Sequence, residues 1–552
     1  MIIERHVQAA MRDGVVLSAD VYRPDSGDRF PTVLVRTCYT KAVGPFAERS
    51  IFWTKKGYAY VVQDVRGRGD SDGRFVPLAH EIEDGSDSID WIVSQPWSDG
   101  HVVMTGGSYL GWTQLYAACS GNRHLAALIP MAAPADPDRG FPLSHGMIIP
   151  AGACWLATLD GHINQVLTPS EMEISTNHKP LIEFDRVIGR RLAPWRDWVN
   201  NVLVSEFWER LSFQQRLLRS SHPMLHVSGW YDDCLNGALE NFSALSSRRS
   251  GSHGAQRLLI GPWLHATIGQ RINGGIDFGE EAQVDIEDLQ DSWFRECLEK
   301  REKGSSSVQV FVMGRNLWIQ EESWPIPGTE YIPYYLHSAG HANSALGDGS
   351  LSTLQPGIEP HDAYQYDPSN PIPYSANFDW KQLGGPDDYR DLEHREDMLV
   401  YTSEPLESPL LICGPLTVRL FAATTAIDTD WMARILDVHP DGRAIRLNDG
   451  AVRARFRKGR HTQVFLVPGS VEEYSIDCWA TCIELPVGHR LRLEISSSAQ
   501  GRYDLNLNSG EPVGKQLTPK IANQTIYHNH VYPSHLVLPI LRSARFSSRK
   551  NV

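Results

Sequence analysis

Residues 102–113 read Val102-Val103-Met104-Thr105-Gly106-Gly107-Ser108-Tyr109-Leu110-Gly111-Trp112-Thr113. The apolar, β-branched start predicts a buried strand, and apolar residues recur at helical spacing after Ser108. A strand, a sharp turn built from small residues and a helix, with serine at the apex, is the arrangement of a nucleophile elbow. The turn lifts the hydroxyl above the edge of the sheet, and the helix N-terminus beneath it favours developing negative charge.

The motif alone has low specificity. In a chain of 552 residues the loose pattern G-x-S-x-x-G is expected about 0.3 times by chance. A Gly–Ser turn that merely joins a strand to a helix is the simpler alternative. The rest of the sequence therefore has to decide between the two interpretations.

The chain is too long for one hydrophobic core, so we expect several domains. The net charge of −14 argues against nucleic acid or an anionic membrane as the main partner. Residues 1–6 carry charges where a signal peptide needs an apolar core, and no run of about 18 apolar residues occurs. We therefore expect neither a signal peptide nor a membrane span.

The cysteines are scattered along the chain, at positions 38, 119, 154, 234, 297, 413, 478 and 482. Cys478 and Cys482 are the closest pair, but in one strand they would lie about 13 Å apart, too far for a disulfide. We expect reduced thiols and a cytoplasmic protein.

Strand and helix patterns alternate in the first third of the chain and again after residue 222. This alternation predicts a parallel, doubly wound sheet whose working edge lies at the carboxyl ends of the strands. The apolar runs that predict its strands lie at residues 32–36, 58–64, 102–106, 125–131, 223–228 and 256–260.

Two other regions have different patterns. Residues 133–221 are rich in tryptophan and proline with helical apolar spacing, which predicts a helical insert that covers the site. After the Gly304–Ser307 linker, short alternating runs separated by turn signals predict an all-β sandwich or jelly roll. The predicted domains are a core from 1–132 and 222–304, a cap from 133–221 and a β domain from 305–552.

Three residues that follow predicted strands could form a catalytic triad. A serine needs a base to take its proton, and the base needs a carboxylate to orient it. Ser108, Asp232 and His265 occur in the chain order of an α/β-hydrolase, each at a strand end. Loops at one edge of one sheet can bring these groups together.

Each assignment has competitors. Asp233 competes with Asp232 as the orienting acid, and Asp232 could also be a surface acid. Among 21 histidines, His226 lies within a strand and His222 precedes it, so His265 is the better candidate.

The tetrahedral intermediate needs hydrogen-bond donors for its oxyanion. The backbone N–H of Tyr109, just after the nucleophile, is the default first donor. The second normally comes from the loop after the first buried strand, which here is Thr37–Lys41 and lacks glycine. The phenol of Tyr39 could donate instead, although a packing tyrosine is the plain alternative.

Other motifs carry less weight. Arg68-Gly69-Asp70 resembles an adhesion tripeptide, but its loop fits a structural turn. His528, His530 and His535 suggest a metal cluster but lack a partner motif, and no Walker or dinucleotide loop is present. We expect neither a cofactor nor a metal.

Beyond these patterns, the chain resembles the CocE/NonD family of serine hydrolases over nearly its whole length outside the helical insert. The family comprises cocaine-esterase-like acyl esterases, akin to α-amino acid ester hydrolases and X-Pro dipeptidyl peptidases. The matching segments are Met11–Val15, Arg36–Lys41, Asp64–Ser71, Gly106–Gly111, Gly229–Asp232, Gly261–His265, Asp430-Trp431, Asp437–Gly442 and Tyr532–Ser534.

The resemblance implies an α/β-hydrolase core with a helical cap and a C-terminal jelly roll. It implies Ser108 as nucleophile, His265 as base and Asp232 as the residue that orients the base. It also implies an oxyanion hole made by the Tyr39 hydroxyl and the Tyr109 N–H.

Departures from the family concern the substrate. α-Amino ester hydrolases carry extra carboxylates after the catalytic aspartate, where this chain offers only Asp233. Cys234 stands where relatives can place an aromatic residue against the acyl group. Trp155, Trp230 and Phe378 are further candidates for the pocket, although a tryptophan in a helical domain is more often part of the core.

We therefore expect a serine esterase that cleaves a small acyl substrate through an acyl-enzyme. The alternatives are an X-Pro dipeptidyl peptidase or amidase, or an acyltransferase, using the same triad. A silent core with a carbohydrate-binding β domain is a third hypothesis. The expected partner is a small-molecule ester or amide, and a homo-oligomer is compatible with the sequence.

Overall fold

The computed structural model describes residues 1–247, 254–300, 306–374 and 384–542. Two large sheets organise this part of the chain, with ten strands in the first and eleven in the second. Helices surround the first sheet, and the second forms a separate all-β domain. The α/β-hydrolase core and the C-terminal β domain expected from the sequence are therefore both confirmed.

The first sheet is parallel in its centre and antiparallel at both edges. Its order is β1-β2-β4-β3-β5-β6-β9-β10-β13-β14, and the pairs from β4 through β13 are parallel. Its strands are β1 (Ile2–Ala10), β2 (Val16–Arg23), β3 (Phe30–Thr37), β4 (Ala59–Asp64), β5 (Ser98–Gly107), β6 (Leu125–Met131), β9 (Met224–Tyr231), β10 (Gln256–Leu264), β13 (Ser307–Val312) and β14 (Leu317–Glu321).

The helices of the core connect these strands and bury their apolar faces against the sheet. Tyr109 through Ala118 are all buried, so α3 is a central helix apolar on every side. The core helices are α1 (Phe46–Lys55), α2 (Glu81–Val93), α3 (Tyr109–Cys119), α10 (Leu235–Ser246) and α11 (Ile286–Leu298). A small hairpin, β11 (Ile272–Asn273) and β12 (Ile276–Asp277), follows β10.

The regular structure between β6 and β9 is mainly short helices, and the segment shares one hydrophobic cluster with the core, which includes Trp155, Trp195 and Trp198. It consists of β7 (Leu143–Ser144), β8 (Met147–Ile148), α4 (Ala151–Thr158), α5 (Pro169–Asn177), α6 (Phe184–Val187), α7 (Ala193–Asn200), α8 (Glu206–Leu211) and α9 (Gln214–Leu217). A capping box between Thr168 and Glu171 begins α5. The cap is therefore packed onto the core as a continuation of it.

From the sequence we expect residues 305–552 to form the β domain and residues 256–260 to be the last strand of the first sheet. The second expectation is wrong, because β13 pairs in parallel with β10 and β14 then pairs with β13. Both strands lie within the segment assigned to the β domain. An alternating pattern identifies a strand of which one face is more exposed than the other. Such a strand can lie near the edge of either sheet. Of the proposed linker, residues 304–305 lie outside the described residues.

The second sheet is largely antiparallel and has many neighbours distant in sequence, as a jelly roll requires. Its path is β17-β24-β19-β25-β15-β16-β18-β23-β20-β21, with β22 paired to β19. Its strands are β15 (Glu330–His337), β16 (Ser350–Ser352), β17 (Asp362–Tyr366), β18 (Leu399–Ser403), β19 (Leu410–Thr424), β20 (Asp430–Val438), β21 (Ala444–Arg453), β22 (Glu472–Leu485), β23 (Arg490–Ser496), β24 (Ala522–Tyr527) and β25 (His535–Ile540).

Buried charges tie the β domain to the cap. Arg453 is fully buried and donates to both carboxylate oxygens of Asp430 at 2.9 Å and to Asp504 at 3.0 Å. Asp504 in turn accepts a hydrogen bond of 2.6 Å from the backbone N–H of Ile148 on β8. The position of the cap hairpin is therefore set by the β domain as well as by the core.

The expectation that all cysteines are reduced is also wrong. Cys413 on β19 and Cys482 on β22 are cross-strand partners with Cα atoms 4.0 Å apart, and they form a disulfide. They are 69 residues apart in sequence, so their spacing could not reveal the pairing. Separately, no helix among the described residues is both long enough and apolar enough to cross a bilayer.

We predict that Gly111→Ala destabilises the protein. A Cβ at this position of α3 would lie 2.7 Å from the Ala133 Cβ and 3.1 Å from the Met131 carbonyl oxygen, so the strand or helix must move. Overpacking of this kind costs on the order of 1–3 kcal/mol, which thermal unfolding followed by circular dichroism would show as a lower midpoint. Gly357→Ala is the control, since a Cβ there meets nothing within 4 Å. Equal midpoints for the two variants would contradict this packing.

Candidate active site

Ser108 lies between the end of β5 and the start of α3, with φ of 60° and ψ of −124°. Residues other than glycine seldom adopt a positive φ, and the turn needs small neighbours. At Gly106, a Cβ would lie 2.5 Å from the Leu110 Cβ. This is the backbone of a nucleophile elbow, and it places Ser108 at the carboxyl edge of the sheet.

Asp232 and His265 follow adjacent parallel strands. β9 ends at Tyr231 and β10 ends at Leu264, and these two residues are register partners. His265 Nδ1 lies 2.8 Å from Asp232 Oδ1. The sheet therefore brings together the proposed base and the residue proposed to orient it.

Asp232 is held more firmly than Asp233. Its side chain is completely buried, its Oδ2 accepts from the Ser228 hydroxyl at 2.6 Å, and its Oδ1 accepts from the Cys234 N–H at 2.9 Å. Burial raises the pKa of Asp232, but His265 and these donors lower the pKa by more than burial raises it. The pKa of Asp232 is therefore below its usual value. Asp232 is therefore an ionised carboxylate with a fixed orientation.

Asp233 is the second acid near the ring. Its Oδ1 lies 3.3 Å from His265 Nδ1, and 18% of its side chain is exposed. Burial raises the pKa of Asp233 despite the opposing effect of His265. This carboxylate faces the cavity, whereas that of Asp232 is sealed behind the ring.

The competing histidines do not reach the site. His226 is buried in β9 with its Nε2 3.3 Å from the side-chain oxygen of Gln256, and burial lowers its pKa to about 4. His222 is also buried, which lowers its pKa. Neither ring lines the cavity that contains Ser108.

Tyr39 approaches Ser108 from the loop after β3. Its phenol oxygen accepts a hydrogen bond of 3.0 Å from Trp155 Nε1 and interacts with the Ser108 hydroxyl. Burial raises the pKa of Tyr39 far above its usual value, so the phenol is neutral and retains its proton. A neutral phenol next to the serine can donate to an oxyanion.

The side chain of Tyr109 points away from the reaction. Its hydroxyl donates to Glu81 at 2.8 Å and accepts from the Leu78 N–H at 3.1 Å. Its backbone N–H belongs to the first turn of α3, where the N–H groups have no partner within the helix. That N–H therefore stays available as the first donor.

Ser108 and His265 line one cavity of about 240 Å³. In the described structure no hydrogen bond joins the Ser108 hydroxyl to the ring, and such bonds often tighten only when substrate binds. The lining is mostly apolar and consists of Tyr39, Ser108, Tyr109, Trp112, Pro134, Phe141, Ala151, Trp155, Thr158, Asp233, Cys234 and His265.

Three of the four residues suggested for the pocket can be placed. Trp155 and Cys234 line the cavity. Trp230 does not: it is buried against Trp324, and its Nε1 donates to the Phe311 carbonyl oxygen at 2.7 Å. That assignment is wrong because alternate residues of a strand face opposite sides of the sheet. The fourth, Phe378, lies outside the described residues.

Several residues that line the cavity were not predicted from the sequence. Ala151, Trp155 and Thr158 lie on α4 at spacings of four and three, which places them on one helix face. That periodicity could have extended the pocket from Trp155 to its neighbours. Phe141 and Trp112 also contribute, but a buried aromatic residue carries no sequence signal that separates a pocket from a core.

Electrostatics favour protonation of His265. Burial lowers the pKa of His265, but three neighbours raise it by more than burial lowers it: Cys234, Asp233 and Asp232. The pKa of His265 is therefore well above its usual value. Burial raises the pKa of the Cys234 thiol to about 12, so it is neutral at pH 7. The carboxylates are therefore the charges that stabilise the imidazolium.

Comparisons with known proteins cover both halves of the chain. Residues 13–267 match the family model of the X-Pro dipeptidyl-peptidase (S15 family). Residues 301–537 match that of the X-Pro dipeptidyl-peptidase C-terminal non-catalytic domain. The chain is also 35% identical to a cocaine esterase from Rhodococcus sp. (strain MB1 Bresler), over 98% of this chain and 99% of that protein.

Solved structures share the whole fold. A crystal structure of an aminopeptidase from a marine sediment archaeon, Thaumarchaeota archaeon, aligns with a TM-score of 0.84 at 24% identity, over 98% of this chain and 96% of that one. An α-amino acid ester hydrolase aligns with the same TM-score and coverage at 23% identity. These two likenesses establish the fold, and the identity to the cocaine esterase over nearly the full length of both proteins establishes the family. The chain belongs to the CocE/NonD family of serine hydrolases.

Proposed function

We propose that this protein hydrolyses carboxylic esters of a small acyl group through an acyl-enzyme on Ser108. The observation that carries the proposal is the convergence of an elbow serine and an Asp232–His265 pair on one apolar cavity. The relationship to a cocaine esterase at 35% identity supports an ester as the substrate.

Acylation begins when His265 takes the proton of Ser108 and the serine oxygen attacks the ester carbonyl carbon. Asp232 fixes the ring and stabilises the imidazolium that forms. The imidazolium then gives its proton to the leaving alcohol as the tetrahedral intermediate collapses. In the second half of the cycle His265 activates a water molecule, which releases the acid and restores Ser108.

The oxyanion of both intermediates would receive two hydrogen bonds, from the Tyr39 phenol and the Tyr109 backbone N–H. Trp155 supports the phenol, because its indole N–H already donates to the Tyr39 oxygen. With that oxygen occupied as an acceptor, the phenol proton is free to point toward the substrate. The oxyanion hole therefore depends on a cap residue as well as on core residues.

The cavity favours an apolar acyl group. Trp112, Phe141, Ala151 and Trp155 supply apolar surface, while the polar groups gather at Ser108 and His265. Cys234 occupies less space than an aromatic side chain, which leaves room beside the ring.

A second candidate is a peptidase or amidase that acts on a substrate with a free amine. Asp233 is the observation that favours it, because this carboxylate faces the cavity and could hold an ammonium group. An X-Pro nitroanilide and a simple p-nitrophenyl ester, compared at equal concentration, separate the two functions. We expect the ester to be the better substrate; a faster nitroanilide would favour the peptidase.

Ser108→Ala should abolish hydrolysis of p-nitrophenyl acetate and butyrate, since it removes the hydroxyl that is proposed to attack the ester. Intact-protein mass spectrometry of the unchanged protein, quenched during turnover of an ester panel, should show an acyl adduct on Ser108. Ser247→Ala, an exposed serine at the end of α10, is the control and should retain full activity. Turnover by the Ser108 variant would refute the proposed nucleophile.

Tyr39→Phe should lower kcat by about 10²–10³-fold, the usual effect of removing one oxyanion donor. Trp155→Phe should lower kcat by a smaller factor, because the phenol remains but loses its orienting partner. The double variant should be no slower than Tyr39→Phe alone if the tryptophan acts through the phenol. Multiplicative losses would instead show that Trp155 contributes only packing.

As the pH is lowered, the loss of activity should begin at an unusually high pH. His265 acts as a base only when neutral, and its pKa is raised, so kcat/KM should decline as the pH drops through a value above the usual 6.5 or so. Asp233→Asn removes one negative charge beside the ring and should move this acid limb to lower pH. Asp197→Asn, on the exposed face of α7, should leave it in place. An unmoved limb in Asp233→Asn would show that this carboxylate does not act on the ring.

A further inference from the structure

Two side chains beside the triad, those of Asp233 and Cys234, have no required role in hydrolysis, yet they lie close to Asp232 and His265. Asp232, Asp233, Cys234 and His265 each present one potential ligand atom, and these atoms all lie within 4.8 Å of one another. The Cys234 Sγ is 4.0 Å from Asp233 Oδ1, which is 3.3 Å from His265 Nδ1. Sulfur, nitrogen and oxygen donors thus lie close together at the edge of the cavity.

The members of this group differ in how freely they can bind a ligand. Asp232 is sealed from the cavity and already engaged with His265, Ser228 and the Cys234 N–H. Asp233, Cys234 and His265 line the cavity, and His265 and Asp233 are about one-fifth exposed. Three ligands of different chemistry are therefore accessible from the same space as the substrate.

We propose that Cys234, His265 and Asp233 form an inhibitory binding site for a thiophilic divalent cation such as Zn²⁺. The cation would take the thiolate sulfur, one ring nitrogen and one carboxylate oxygen, and a water molecule from the cavity would complete the tetrahedron. The thiol proton leaves to solvent when the sulfur binds.

The donor set selects the class of ion. Thiolate and imidazole are ligands for zinc and similar transition metals, whereas Ca²⁺ and Mg²⁺ require oxygen ligands. In a tetrahedral zinc site the ligand atoms are about 3.3–3.8 Å apart, given bonds of about 2.0–2.3 Å. The observed atoms need to close by only about an ångström to reach that spacing.

Asp232 and the cation would compete for one ring nitrogen. His265 Nδ1 lies 2.8 Å from Asp232 Oδ1 and 3.3 Å from Asp233 Oδ1. A cation on Nδ1 would therefore displace the Asp232 contact that orients the base, and this loss would add to the inhibition.

The consequence rests on the proposed function. A cation on His265 would occupy or immobilise the base and place a positive charge beside Ser108, so acylation would stop. Cys234 decides whether this happens, because removing it leaves a histidine and one carboxylate, a weak pair. Zinc would thus act as a reversible inhibitor whose strength depends on one side chain of the acyl pocket.

A second cluster of possible ligands must be separated from this one. Asp437, His439 and His489 lie together in the β domain, with Asp437 bonded to His489 Nδ1 at 2.8 Å and 3.3 Å from His439 Nε2. It contains no thiol, and none of its three residues lines the cavity that contains Ser108. His439→Asn therefore serves as the matched control variant.

The test measures ester hydrolysis against Zn²⁺ concentration, with each variant normalised to its own rate without metal. The unchanged protein should be inhibited, and chelation by EDTA should restore its activity. Cys234→Ser and Asp233→Asn should each raise the half-inhibitory concentration by about tenfold or more, given that even outer partners of a metal site change affinity 10–100-fold. His439→Asn should be inhibited like the unchanged protein.

A second measurement does not depend on activity. Co²⁺ bound to a thiolate gives a sulfur-to-metal charge-transfer absorption, which should appear in the catalytically inactive Ser108→Ala variant and vanish when Cys234→Ser is added. If the absorption band appears but the unchanged protein hydrolyses no ester, the proposed function is refuted and the metal site is retained. Equal zinc sensitivity in Cys234→Ser and the unchanged protein, or a band that survives Cys234→Ser, would overturn the site.

Discussion

The backbone turn at Ser108 is the constraint on which the site depends. Its positive φ is unfavourable for serine, so the surroundings must hold it. Gly106 leaves space for Leu110 on one side of the turn. Below it, the buried carboxylate of Glu81 accepts from both Arg36 and the Tyr109 hydroxyl, which ties α2 and β3 to the first residue of α3. A buried ion pair is a weak source of stability but fixes an arrangement well.

Burial and hydrogen bonding also distinguish the two adjacent acids, Asp232 and Asp233. Asp232 is buried and accepts from Ser228 and a backbone N–H, so its charge and orientation are set by the protein. Asp233 faces the cavity, where substrate and solvent compete for it. In the proposed mechanism Asp232 therefore orients the base, while Asp233 remains accessible from the cavity.

The cap and the β domain complete the cavity from outside the sheet. α4 supplies Trp155, whose indole N–H donates to the Tyr39 hydroxyl, and the cap hairpin before α4 is bonded to Asp504 of the β domain. At Gly146 a Cβ would lie 2.1 Å from the Phe456 ring, so the two parts meet without room for a side chain. The site therefore needs all three parts of the chain, although the proposed triad comes from one sheet.

The sequence by itself determined the alternating strands and helices, the elbow and the residues after β9 and β10, because these are local patterns whose meaning is fixed by the edge of a parallel sheet. Only the tertiary structure decided that β13 and β14 extend the first sheet, that Trp230 faces away and that Cys413 meets Cys482. A pattern of alternating or apolar residues shows that a side chain is buried, but it does not show which other residues that side chain contacts. The contact between Trp155 and Tyr39, 116 residues apart, exists only once the cap has folded over the core.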